Sequence, residues 1–103
     1  MVRAIAGFDW DTGNLAKCRK HGVSIKEIEF LFAAGPFIAP DPKHSGAEDR
    51  LIAVGRNAMG RALFVAFMFR NVDGTFRIRP VSARYMHRKE IDAYEEKGSE
   101  IED

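Results

Sequence analysis

The eight residues from Ala62 to Phe69 are apolar without a break. Read as a strand, Arg61 to Arg70 is apolar on both faces, with Leu63, Val65, Phe67 and Phe69 on one and Ala62, Phe64, Ala66 and Met68 on the other. Such a strand belongs at the centre of a sheet. The run is too short to span a bilayer, which needs about 20 residues. At 103 residues, 46% hydrophobic and 30% charged, the chain has the balance of a globular protein and room for one core. A single domain over residues 1–98 is expected, followed by an acidic, frayed tail at residues 99–103. The opening MVRAIAGFDW lacks the apolar stretch of a secretory signal, so a water-soluble, cytoplasmic chain with no membrane contact is expected. One cysteine, Cys18, excludes an internal disulfide and a cysteine-cluster zinc site.

Around that central strand the other elements fall into order. Val2 to Trp10 has weak strand character, with Ile5, Phe8 and Trp10 as its apolar groups. Asp11 reads as the N-cap of a short helix through Leu15 and Cys18 that stops at Gly22. Ser24 and Glu27 have the spacing of a capping box, and Val23 with Ile28 that of a hydrophobic staple. Ile25, Ile28, Leu31 and Phe32 then follow one helical face to Gly35-Pro36. A helical hairpin results. Phe37–Ala39 and Arg50–Arg56 read as strands separated by a polar loop, and Asn57–Gly60 as a turn. Asp73-Gly74 signals a hairpin into a strand from Phe76 to Ala83. Pro80 has no amide donor, so that strand is an edge or carries a bulge there. A last helix is expected from about His87 to Gly98, burying Ile91 and Tyr94. The fold class is therefore α+β, an antiparallel sheet with a helical hairpin near the N-terminus and a C-terminal helix. Helices are expected on one face, leaving the other to the strand arginines.

Charge gives the functional clue. Residues 50–89 hold eight arginines and Lys89 against Asp73 alone, while residues 90–103 hold Lys97 against seven acids. A formal net charge of +1 thus hides a basic middle and an acidic end. Arginine's planar fork suits phosphate oxygens better than lysine's point charge does. A salt-bridged surface, with the acidic end neutralising the arginines, is the plain alternative. Alternation places Arg77 and Arg79 on one strand face. Arg84 and Arg88 flank the start of the last helix, where free amides would complete an anion site. His21, His44 and His87 are possible acids or bases near neutral pH. Each also has an ordinary role: His21 can cap helix carbonyls, His44 can be solvated in its loop, and His87 can be an N-cap. Glu48, two residues before Arg50, is either half of a surface ion pair or a general base at a phosphate site. No HxxxH or CxxC spacing supports a metal, and no P-loop, GxGxxG or GxSxG is present.

FDWD near the start, Asn14, Lys20-His21-Gly22-Val23-Ser24, His44-Ser45 and Glu48-Asp49-Arg50 recur in one known family. So do Gly55, Gly60-Arg61, Ser82-Ala83-Arg84, Arg88-Lys89-Glu90 and Tyr94. Together, over about Phe8 to Glu95, the chain resembles the BrnT toxins. Pro80, Tyr85, Met86 and His87 depart from that family's usual pattern. The resemblance implies a RelE-like fold, ribonuclease activity that lowers translation, and a BrnA-type ribbon-helix-helix antitoxin that carries the DNA contact.

RNA cleavage by the substrate's own 2′-OH needs a base, an acid and cations on the phosphate, and no cofactor. On this reading His21 and Glu48 are the acid–base candidates, and Arg50, Arg70 and Arg84 stabilise the phosphate. Lys20, His44, Arg61, Arg77, Arg79 and Arg88 bind the RNA. The alternatives are a basic module that binds nucleic acid or an antitoxin without cutting, and a histidine metal enzyme. The nuclease reading requires guanidinium groups gathered on one sheet face; dispersed groups, each bound by its own carboxylate, would defeat it.

Overall fold

A computed structural model describes residues 7–41 and 50–102, with side chains through residue 95. In chain order it has α1 (Thr12–Arg19), α2 (Ile25–Ala34), β1 (Phe37–Pro40), β2 (Leu51–Arg56), β3 (Ala62–Val72), β4 (Thr75–Tyr85) and α3 (Arg88–Glu102). The strands form one antiparallel meander in the order β1-β2-β3-β4. The apolar run sits in β3, between β2 and β4, and Leu63, Val65 and Phe67 are fully buried. Val2, Ile5, His44, Ser45, Glu48 and Asp49 lie outside the described residues.

The helical hairpin forms for the reasons its caps give. Asp11 accepts from the Asn14 amide, and Asn14 Oδ1 accepts from the Asp11 amide in return at 2.7 Å. Ser24 and Glu27 repeat the exchange at the start of α2, and Gly35 ends it with φ 85°, a left-handed value that glycine adopts without a Cβ penalty. The first helix ends at Arg19, short of the expected stop, and Lys20, His21 and Gly22 make the turn. The hairpin buries Cys18, Val23, Ile28 and Leu31 against Ala53, Leu63, Val65, Phe67, Ile78 and Ala83 of the sheet. At the other hairpin, Asp73 and Gly74 both have positive φ, as the tightest strand-to-strand turns require.

Pro80 is both at an edge and at a bulge. Ile78 directs its amide and carbonyl outward, to Gly7 O and Asp9 N. Pro80, two residues on, faces the same way, so its missing N–H breaks no bond to β3. Pairing then shifts by one residue: Phe67 faces Pro80 and Ala66 faces Ser82, with Val81 unpaired. The extra residue exchanges the faces of everything after it. Ala83 and Tyr85 turn toward the helical hairpin, and Arg84 joins Arg77 and Arg79 on the opposite face.

Three expectations are corrected. The segment before α1 is a strap rather than a strand, since among the described residues only Phe8 bridges to Ile78, in parallel; Pro80 offers no next donor. The helices do not share a face. α3 lies over the second face, where Tyr94 packs edge-on against Phe37 at 5.9 Å and Ile91 shares a cavity with Val54 and Ala62. The cause is visible in β3, whose second apolar face also needs cover. Finally, α3 runs through Gly98 to Glu102; a mid-helix glycine costs only about 1 kcal/mol relative to alanine and does not by itself stop a helix.

Candidate active site

The second sheet face carries a cationic cleft beside the start of α1. In the β3–β4 register Met68 faces Arg79 and Arg70 faces Arg77. Asn14 and Lys17 from α1 and Arg50 at the entry to β2 complete the walls around Met68, Arg70 and Arg79, enclosing about 370 Å³. Asn14 fastens the wall. It is 4% exposed, and its Nδ2 donates to Pro80 O at 2.8 Å and Asp9 O at 2.9 Å. The Pro80 carbonyl, which faces outward from this edge strand, is thereby satisfied.

Two carboxylates from the strap hold the arginines. Asp9 Oδ2 accepts from Arg70 at 3.3 Å and from Arg79 at 3.1 Å, and Asp11 Oδ2 lies 2.8 Å from Arg79. Burial opposes the Arg79 charge, but Asp11 and Asp9 outweigh it and raise its pKa above the ordinary value. The Asn14 amide, and then Arg79, hold Asp11 below the usual carboxylate range. Arg70 remains half exposed, whereas Arg79 is largely covered. Arg50 differs: its Nε is buried with no hydrogen-bond partner among the described residues. Buried donors are normally paired, so this atom stands out among the described residues.

The other sequence candidates are distributed elsewhere. Arg77 shares the arginine face and donates its Nε to Thr75 Oγ1 at 3.1 Å. Arg84 also shares it, but lies over the Phe64 ring at 4.6 Å and gives Glu90 two bonds, of 2.8 and 2.7 Å. Glu90 further accepts from the His87 amide at 3.0 Å. Of the groups expected to form an anion site at the start of α3, Arg84 and the His87 amide come together, and the chain's own Glu90 carboxylate occupies the space between them. Arg84, and then the His87 amide, hold the Glu90 carboxyl at about 2. Arg88 is exposed in the first turn of α3. Arg61 lies on the hairpin face, its guanidinium 3.5 Å from the centre of the Tyr85 ring. Lys20 and His21 are exposed in the turn after α1, at the opposite end of that helix from the cleft. His44 and Glu48 fall outside the described residues.

The arginines are thus gathered in part and neutralised in part. Arg50, Arg70, Arg77 and Arg79 share one region of one face, while Arg70, Arg79 and Arg84 already hold carboxylates. Sequence reasoning missed Lys17, which reads only as a cation near a helix end, and the pairing of Asp9 and Asp11 with Arg79. The one available signal was Asn14, a poor helix former in a short helix. Among the described residues no three His, Cys, Asp or Glu side chains gather as a metal site, and no helix is long and apolar enough to cross a membrane.

Fold and cleft together define a small α+β protein with a cationic cleft suited to an anionic ligand. Residues 10–90 match the family described as the ribonuclease toxin, BrnT, of type II toxin-antitoxin systems, and the chain belongs to that family. Membership makes RNA its substrate and an antitoxin its partner. No curated protein matches the chain.

Proposed function

We propose that the chain is a metal-independent endoribonuclease that cuts RNA by attack of the 2′-OH on the adjacent phosphate and so inhibits translation in the cytoplasm. The cleft of Lys17, Arg50, Arg70 and Arg79 is the observation that carries this reading. The scissile phosphate sits against Arg50 and Arg70, which stabilise the charge that develops on its oxygens. Arg79, fixed by Asp9 and Asp11, shapes the wall. A base removes the 2′ proton as the new P–O bond forms, and an acid supplies a proton to the departing 5′ oxygen. The products are a 2′,3′-cyclic phosphate and a 5′-hydroxyl. Glu48 is favoured over His21 as the base, because it stands two residues from Arg50 in the chain and His21 lies at the far end of α1. Arg84 contributes once Glu90 releases it, and His44, Arg77 and Arg88 serve the flanking backbone. The antitoxin is read as a BrnA-like ribbon-helix-helix protein, through which alone the complex touches DNA.

A second reading, binding without cleavage, draws on the carboxylates already at Arg70, Arg79 and Arg84. Digestion of RNA in excess EDTA separates the two. Cleavage with cyclic-phosphate ends is expected, falling about 100- to 1,000-fold in Arg50→Ala and in Arg70→Ala with unchanged circular dichroism. Wild-type rates in both variants would remove the site, and RNA binding without any cleavage would favour the module.

A further inference from the structure

A concavity larger than the cleft faces away from it. Between α2, the β2–β3 turn and the end of β4 lies a groove of about 690 Å³, with Phe30, Ala58 and Met59 on its floor and rim. Met59 is 92% exposed and Phe30 43% exposed, so large apolar groups stand in water around a groove. Isolated exposed apolar residues need no explanation, but apolar groups clustered round a concavity mark an interaction surface.

Its charge is one-sided. Glu27 is the acid of the groove, and it is spent: it accepts from Tyr85 Oη at 2.8 Å, from Asn57 Nδ2 at 2.9 Å and from the Ser24 amide at 2.9 Å. Lys26 and Arg61 therefore set the sign of the lining. Tyr85 also approaches Gly22 O at 3.4 Å, which brings the exposed Lys20 and His21 alongside. Cations that the sequence assigned to RNA thus gather on the face opposite the cleft. An apolar centre inside a basic rim fits a protein segment better than a nucleic acid, since aliphatic side chains gain nothing from phosphates.

We infer that this groove docks the antitoxin, through a segment presenting aliphatic side chains flanked by Asp and Glu. The inference rests on family membership for the existence of that partner, and not on the cleavage mechanism. An antitoxin anchored here grips the toxin on the face away from the scissile site and needs a second segment to reach round and close the cleft.

The test uses the full chain and its cognate antitoxin, with Met59→Glu and Phe30→Glu, both at exposed positions. Calorimetry should show antitoxin affinity at least tenfold weaker in each variant. RNA cleavage by the free variants should match wild type, and silencing them should take correspondingly more antitoxin. Lys26→Glu guards against misfolding of either variant and should weaken binding in the same direction. Antitoxin affinity within twofold of wild type in all three would overturn the proposal. So would a loss of RNA binding with antitoxin binding intact, which would hand the groove to the substrate, and so would a wild-type chain that ignores this antitoxin. If the chain proves not to cleave RNA, the affinities still decide the question.

Discussion

Replacing Asn14 with alanine removes the fastening between α1, the strap and the bulge in β4. Three side-chain bonds go: Oδ1 from the Asp11 amide at 2.7 Å, and Nδ2 to Asp9 O at 2.9 Å and Pro80 O at 2.8 Å. The Pro80 carbonyl is the costly one, because its bond is buried and it faces outward from the edge strand, away from β3. An orphaned buried acceptor costs about 1–3 kcal/mol, and the two part-buried bonds, which water can partly replace, add about 0.5 kcal/mol each. The sum is about 3 kcal/mol, against the roughly 5–15 kcal/mol that holds a domain together. At this chain length that lowers the melting temperature by roughly 10–20 °C. Urea unfolding followed by circular dichroism measures it, with Asn14→Leu beside it as a variant of similar volume. The leucine variant should stay near the alanine value, because it refills the space without restoring a donor. A loss under about 1 kcal/mol in alanine, or recovery of most of the loss by leucine, would show that packing rather than hydrogen bonding fastens the wall.

Other expectations follow from single groups. Glu90 is held at about 2 against an ordinary 4.5 by Arg84 and the His87 amide. A depressed carboxyl stabilises the fold above its unfolded pKa and loses that stabilisation as pH falls through its folded value. The tie between α3 and β4 should therefore be whole above pH 4.5 and disappear toward pH 2, and thermal melts of Arg84→Gln should show a weaker acid dependence there. Burial pushes the Cys18 thiol up to about 11. Alkylation of the native chain near pH 8 should run on the order of 100-fold slower than in denaturant, a result that equal rates would contradict. RNA binding should weaken with salt at a slope of about −0.7 per phosphate contact, and Arg70→Ala should flatten that slope by about one contact.

What the sequence made legible was local. The Ser24–Glu27 capping box, the spacing of Ile25, Ile28, Leu31 and Phe32, and Gly35 together determine α2, because helix caps and amphipathic faces are written within a dozen residues. The Asp73-Gly74 turn and the irregularity at Pro80 are legible for the same reason. Parity along the chain already separates Arg61 from Arg70, since an offset of nine positions puts them on opposite sides of the pleat. What was hidden depends on distance along the chain. Nothing near Arg79 announces Asp9, 70 residues earlier, and nothing near Arg84 tells that a one-residue bulge will move it to the other face. The side taken by α3 was hidden as well, because the apolar groups of β3 demand cover without naming which helix supplies it.

The distance between those partners has a consequence for synthesis. Asn14 waits 66 residues for Pro80, and Asp9 waits 70 for Arg79. A ribosome must therefore make most of the protein before the cleft wall can close. In a chain whose family attacks RNA, a product truncated ahead of β4 lacks Arg79 and the partner that Asp9 and Asn14 wait for.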